Sequence, residues 1–262
     1  MDLAHLSSLR RLPASALSWT SASLFTVLLF LVMLLVTAAT FPFDTRRRRQ
    51  HALCFWWSDA VIGANPYWEV DVQGLEHIDR DRTYVIVANH QSVADIVLLF
   101  QTRMQFKWIA KDSLFRIPFL GWCMSLARHV RLRRARLSGI REAYQEATAW
   151  IDRGMSVMFF PEGTRSASGE MRDFHAGPFK LALRKSVAVL PIAIHGTAKA
   201  VPKGKWLFNP DTAVSLTVLP ALEPDAFHAS GPQALRQAAW DTIHQALLES
   251  PAGERISGNV DN

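Results

Sequence analysis

The chain has 262 residues, enough for one large α/β domain with additions and a sizeable buried core. Its 29 basic and 23 acidic side chains leave a formal charge of +6, which favours anionic partners: nucleic acid, anionic lipid or phosphorylated substrates. Two cysteines, Cys54 and Cys123, exclude a disulfide framework and a cysteine-based metal site and read as free thiols in apolar surroundings.

No charge occurs between Arg11 and Asp44, and the middle of that gap is almost wholly aliphatic. A hydrophobic helix over about 20–41 rises roughly 1.5 Å per residue and is long enough to cross a hydrocarbon core of roughly 30 Å. A signal peptide is the competing reading, since Arg10 and Arg11 precede the run and Thr37, Ala38 and Ala39 follow it. Arg46-Arg47-Arg48-Arg49 resists translocation and favours a retained anchor with the rest of the chain on the cytoplasmic side. Phe55-Trp56-Trp57 and Tyr67-Trp68 then fit either a lipid–water interface or a packed core.

From residue 69 the pattern becomes globular. Strands are expected over 69–72, 84–88, 106–110, 155–160, 187–194 and 215–219, from alternating or continuous apolar runs. Helices are expected over 93–100, 136–153, 179–184 and 233–248; in 136–153 one face carries Leu137, Ile140, Tyr144, Ala147, Trp150 and Ile151, and Gly154 stops it. This alternation implies an α/β fold, a largely parallel mixed sheet flanked by helices. Three regions follow: a membrane-anchoring part over 1–68, a folded domain over 69–250 and a loose tail over 251–262.

Two strand ends carry the chemistry. After the 84–88 strand comes Asn89-His90-Gln91-Ser92-Val93-Ala94-Asp95. Ser92 and Asp95 outline a capping box, which is one role for Asp95. With a helix beginning at Ser92, His90 lies in the preceding loop and folds back onto Asp95. Asp95 then fixes the imidazole tautomer, and His90 serves as a general base. After the 155–160 strand comes Pro161-Glu162-Gly163-Thr164-Arg165-Ser166. Gly163 lets a ligand approach the backbone, Arg165 offers a fork for a phosphate, and Glu162 accepts from a hydroxyl or holds that fork. A Glu162–Arg165 ion pair that only stiffens the turn is the plainer alternative. Ligands of open α/β sheets gather at such carboxyl ends. Lys111 and the cluster Arg128, Arg131, Arg133, Arg134 and Arg136 read either as phosphate or headgroup capture or as a solvated surface. His195, at another strand end, is a rival base without a matching carboxylate. A nucleophile elbow of the Gly-x-Ser-x-Gly type does not occur in the sequence.

Asn89-His90 with Asp95, followed by Phe160-Pro161-Glu162-Gly163-Thr164-Arg165-Ser166, resembles the glycerolipid acyltransferase family, and within it the 1-acyl-sn-glycerol-3-phosphate acyltransferases. Lys111 with Ile117-Pro118-Phe119-Leu120-Gly121-Trp122, and Val189-Leu190-Pro191-Ile192-Ala193-Ile194, resemble two further blocks of that family. The likeness runs from about Val70 to Val218. There are departures: Arg131-Leu132-Arg133-Arg134 lacks the usual acid before arginine, so Arg134 is taken to hold the arginine's place, and His175 fills a slot that is often basic.

The resemblance implies transfer of a fatty acyl group from acyl-CoA or acyl-carrier protein to the sn-2 hydroxyl of lysophosphatidic acid, without an acyl-enzyme. It implies His90 and Asp95 as the catalytic pair, and Glu162, Gly163, Thr164, Arg165, Lys111 and Arg134 around the substrate. No metal or bound cofactor and no nucleic acid are expected, and membrane lipids are expected partners. The location implied is the bacterial inner membrane, the catalytic domain facing the cytoplasm. Acylation of another lysolipid, such as a lyso-ornithine lipid, and non-catalytic lipid binding are the alternatives.

Overall fold

The computed structural model describes residues 3–166, 170–210 and 212–249, the first eight of these by backbone alone. Seven strands form one sheet: β1 (Trp68–Gln73), β2 (Tyr84–Ala88), β3 (Phe106–Lys111), β4 (Val130–Leu132), β5 (Ser156–Phe159), β6 (Ala188–His195) and β7 (Thr212–Val218). Their order is β1-β7-β6-β2-β5-β3-β4. The five strands from β6 to β4 are mutually parallel; β7 runs against β6, and β1 runs with β7. The expected largely parallel mixed sheet is therefore what the chain forms.

Burial explains the strand sequences. In β2 the pleat sends Tyr84, Ile86 and Ala88 into one apolar cluster and Val85 and Val87 into the other, so every position is apolar. Each fully buried side chain of this size contributes about 1.5–3 kcal/mol. Edge strand β1 alternates instead, with Glu69, Asp71 and Gln73 exposed, which discourages pairing with another sheet.

Helices cover both faces. On the Ile86 side lie α1 (Leu3–Thr40), α2 (Arg48–Gly63), α3 (Ala94–Leu99) and α4 (Leu120–Leu126). On the Val87 side lie α5 (Leu137–Asp152), α6 (Gly177–Lys185) and α8 (Gly231–Glu249); α7 (Thr197–Ala200) is a single turn after β6. Gly154, at φ 68°, ends the α5 region as its sequence implies. The 251–262 tail lies outside the described residues.

The N-terminal helix starts earlier than the hydropathy pattern implies, at Leu3 rather than near residue 20, and it runs on through Pro13. Its amphipathicity is reversed relative to a soluble helix. Leu17, Leu24, Leu28, Leu31 and Leu35 face outward, whereas Ser15, Ser18, Ser21 and Thr40 are buried against the protein. Three threonine hydroxyls of α1 accept from α2: Trp57 donates to Thr26 Oγ1 at 3.1 Å, and Gln50 Nε2 donates to Thr37 and Thr40 at 3.2 and 3.4 Å, whereas Ser18 Oγ has no partner among the described residues. Leu29 and Met33 join the same cluster as Ile86, so α1 packs along the domain.

The arginine run after α1 is not uniformly solvated. Asp44 accepts from the Arg48 and Arg49 amides at 3.0 and 2.9 Å and starts α2, while Arg47 is buried over the Phe41 ring. Lys107, wholly buried at the start of β3, donates to the carbonyls of Arg46 and Ala127 at 2.8 and 2.6 Å. Burial pushes its ammonium down to about 7, with Asp44 opposing. In the aromatic segment Phe55 and Trp57 pack on the core, and Trp56 is exposed. Cys54 and Cys123 are free and buried.

Candidate active site

Five parallel strands deliver their carboxyl ends to one edge of the sheet. Residues 89–90 follow β2, 160–166 follow β5, Lys111 ends β3, Arg133 and Arg134 follow β4, and His195 ends β6.

The turn after β2 is fixed by its own side chains. Asn89 is buried, donates Nδ2 to Ile194 O at 2.7 Å and accepts Ile194 N–H on Oδ1 at 2.8 Å, locking the end of β2 to β6. Ser92 Oγ accepts from Ala94 N at 3.3 Å and donates to Val201 O at 2.8 Å. The Asp95 carboxylate reaches back to Ser92 N at 2.9 Å, which is the acidic half of the capping box; the serine caps Ala94 rather than Asp95, since α3 begins at Ala94.

Asp95 is buried, and its Oδ2 stands 2.7 Å from His90 Nδ1. The same oxygen accepts the Gln91 amide at 2.7 Å. A carboxylate can only accept here, so Nδ1 carries the proton and Nε2 presents its lone pair. The imidazole retains slight exposure, at 17%. Its face stacks on Phe160, with centroids 3.8 Å apart and planes 12° apart, and Phe160 stacks in turn on Trp108 at 5.7 Å. Pinned at one nitrogen and one face, the ring has a single working position.

The turn after β5 is tied to the first. Glu162 is buried; its Oε1 accepts the His90 amide at 2.7 Å and its Oε2 the Arg172 amide at 3.0 Å. Burial raises this carboxyl above its usual range while the two amides oppose the rise. Ser166 N donates to His90 O at 3.0 Å, so His90 is held at both backbone groups by the Glu162–Ser166 segment. Glu162 is thus engaged with backbone amides rather than with Arg165. Among the described residues the Arg165 guanidinium has no hydrogen-bond partner, although its carbonyl accepts Lys203 Nζ at 2.7 Å. Thr164 is exposed.

Gly163 has φ 75°, and a Cβ there would come within 2.9 Å of His175 Nε2. Arg134 NH1 donates to the Gly163 carbonyl, which carries the arginine onto this turn. Arg134 also lines a cleft of about 500 Å³ with Lys111, Asp112, Arg116, Arg133 and Arg136. Asp112 is the cleft's one acid and pairs with Arg116 at 2.9 Å and Arg133 at 3.7 Å, leaving an excess of positive charge. Lys111 and Arg134 therefore meet in one basic cleft, and Arg134 joins that cleft to the Gly163 turn beside His90. His195 lines a second cleft of about 420 Å³ with Gln91, Met171 and His244; burial and Lys199 lower its imidazole.

Sequence reasoning did not assign Asn89, Phe160 or the backbone role of Glu162. Only Asn89 had a signal, an amide side chain directly before the histidine at a strand end.

Comparisons with known proteins identify relatives of the chain. Residues 69–195 match the family model described as Acyltransferase. The chain is 35% identical over 224 residues to a 1-acyl-sn-glycerol-3-phosphate acyltransferase of Chlamydomonas reinhardtii, covering 85% of this chain and 67% of that protein. A chloroplastic enzyme of the same name from Arabidopsis thaliana is 37% identical over 67% of this chain, which spans 50% of that protein's length. One from Pseudomonas aeruginosa is 28% identical, covering 94% of this chain and 91% of that protein. The crystal structure of the 1-acyl-sn-glycerophosphate acyltransferase from Thermotoga maritima superposes with a TM-score of 0.80 at 28% identity, over 93% of this chain and 97% of that one.

Proposed function

The chain belongs to the acyltransferase family, and from that footing we propose that it moves a fatty acyl group from acyl-CoA or acyl-carrier protein to the free sn-2 hydroxyl of lysophosphatidic acid, giving phosphatidic acid. The observation that carries this reading is the His90–Asp95 pair at 2.7 Å, held by the same segment that presents Arg165.

His90 Nε2 accepts the proton of the acceptor hydroxyl as that oxygen attacks the thioester carbonyl. Asp95 stabilises the imidazolium that forms. The tetrahedral intermediate collapses, the carbon–sulfur bond breaks, and the imidazolium returns its proton to the leaving thiolate. The Phe160 ring shields one face of the imidazole from water. Lys111, Arg134 and Arg165 receive the acceptor phosphate, Arg165 with an uncommitted guanidinium and Arg134 through the cleft it shares with Lys111. Glu162, Gly163 and Thr164 shape the turn beside it.

The outward leucine face of α1 supports immersion in lipid. Because the opposite face packs along the domain, we read α1 as lying in one leaflet, with Arg46–Arg49 favouring the cytoplasmic side.

An acyl-transfer assay on membranes, run with several lysolipids and both donor types, tests this reading. Transfer is expected with lysophosphatidic acid as the preferred acceptor. Faster turnover of an acceptor lacking the phosphate monoester would overturn the substrate assignment, and absence of transfer to every lysolipid would overturn the activity.

A further inference from the structure

The loop over 201–208 touches three separate parts of the molecule. The Val201 carbonyl accepts the Ser92 hydroxyl at 2.8 Å, beside the turn that holds Asp95. Lys203 Nζ donates to the Arg165 carbonyl at 2.7 Å. Phe208 N–H donates to Ser15 Oγ of α1 at 2.8 Å, and the Phe208 ring lies 5.4 Å from both Trp19 and Trp68. The Trp19 indole closes the junction by donating to the Trp206 carbonyl at 2.6 Å.

What this loop shows to the outside is of one kind. Trp206 is 59% exposed, next to the 38% exposed Trp19, and Leu12 and Leu17 of α1 are exposed nearby in sequence. Lys199, Lys203 and Lys205 fall within the segment between His195 and Asp211, which contains no acidic residue. The Lys205 ammonium has no partner among the described residues, and its side chain is exposed. A large indole left in water beside a leucine face, fringed by lysines that have no acidic partner among the described residues, has the composition of a lipid–water boundary with anionic headgroups. It is also continuous, through the Trp19–Trp206 bond, with the face of α1 that has no protein partner.

We infer that the 201–208 loop is a second membrane contact, which seats Trp206 at headgroup level and sets Lys205 against anionic lipid. This rests on α1 facing lipid. The occupant is a bilayer rather than another protein because the lysines supply charge complementarity to its surface and the apolar part continues α1's leucine face.

The test uses the full chain with Trp206→Cys carrying an environment-sensitive fluorophore; Cys54 and Cys123 are buried and leave the new thiol as the reactive one. On vesicles of phosphatidylglycerol and phosphatidylcholine, emission is expected to shift to the blue and to be quenched more by a headgroup-level spin-labelled lipid than by one labelled deep in the chain. Unchanged emission while the protein sediments with the vesicles would overturn the loop contact and leave α1 as the sole anchor. A protein that stays in the supernatant would overturn both. Lys205→Ala is expected to weaken partition into the anionic vesicles about five-fold, with no change on phosphatidylcholine alone. Equal partition of the variant and the parent protein into anionic vesicles would refute the charge contact.

Discussion

Asp95 Oδ2 serves His90 and the helix start at once: it stands 2.7 Å from the imidazole Nδ1 and also accepts the amides of Gln91 and Ser92. Removing the charge and removing the acceptor should therefore have separable effects. Asp95→Asn is expected to lower kcat by roughly 10³–10⁴-fold with the acceptor KM little changed, as when a triad loses its orienting carboxylate. Asp95→Ala should in addition cost about 1–3 kcal/mol of stability, because two buried amides lose their partner. Single-turnover kinetics and urea unfolding read the two effects, and His90→Ala should abolish turnover with the fold intact. Substantial activity left in His90→Ala would sink the general-base role.

Arg165 offers an uncommitted guanidinium beside the His90 turn. Arg165→Ala should raise KM for a phosphorylated acceptor by about tenfold or more, the loss of a charge-assisted hydrogen bond of roughly 1.5–3 kcal/mol. A monoacylglycerol, which lacks the phosphate, should be acylated equally well by both proteins. If KM rises equally for both acceptors, Arg165 is holding the turn rather than reading the phosphate.

Gly163 combines a left-handed backbone with a close neighbour. Gly163→Ala should cost about 1–2 kcal/mol for the torsion, plus whatever the contact with His175 adds. In a His175→Ala background the contact disappears and the torsion stays, so only part of the loss in melting temperature should return. Full recovery would mean that the torsion carries no cost.

His51 is wholly buried among Phe55, Phe100 and Phe106, and neither ring nitrogen has a hydrogen-bond partner among the described residues. Burial, reinforced by Lys107, holds its imidazole well below the usual range. The folded protein thus resists a proton that the unfolded chain accepts near pH 6.5, so stability is present above that pH and is lost as pH falls through it. Buried His129, shifted in the same direction, adds to this acid limb. His51→Phe should stabilise by about 1–3 kcal/mol, with the larger gain at pH 5 than at pH 8. Urea midpoints at the two pH values check this; an equal gain at both would remove His51 from the acid limb.

The sheet was legible where burial on both faces forces an unbroken apolar run, as in β2, β5 and β6. Four short or composite elements were not. β4 is Val130-Arg131-Leu132, too short for a period and hidden inside what reads as a basic cluster. α2 mixes arginines, aromatics and small residues, and α4 places Trp122 outward, so neither shows a simple apolar stripe. α7 is one turn.

Within the site, the His90–Asp95 pairing was legible because a helix start brings those residues together locally. Glu162 and Asn89 were not, because their partners are backbone groups on other strands, which no residue pattern records. The loop at 201–208 escaped notice for a related reason. Its hydrogen bonds to Ser15, Ser92 and Arg165 span long sequence separations and leave no periodicity.

The inward hydroxyl face of α1 means that this helix is not a detachable leash. Cutting away residues 1–40, the usual route to a soluble fragment, would strip Gln50 and Trp57 of their acceptors and uncover the apolar surface that Leu29 and Met33 close. The trimmed protein would trade an exposed leucine face for an open wound in its own interior. Handling the whole chain in detergent, or replacing the outward leucines while keeping the serines and threonines, is the route consistent with how the helix is docked.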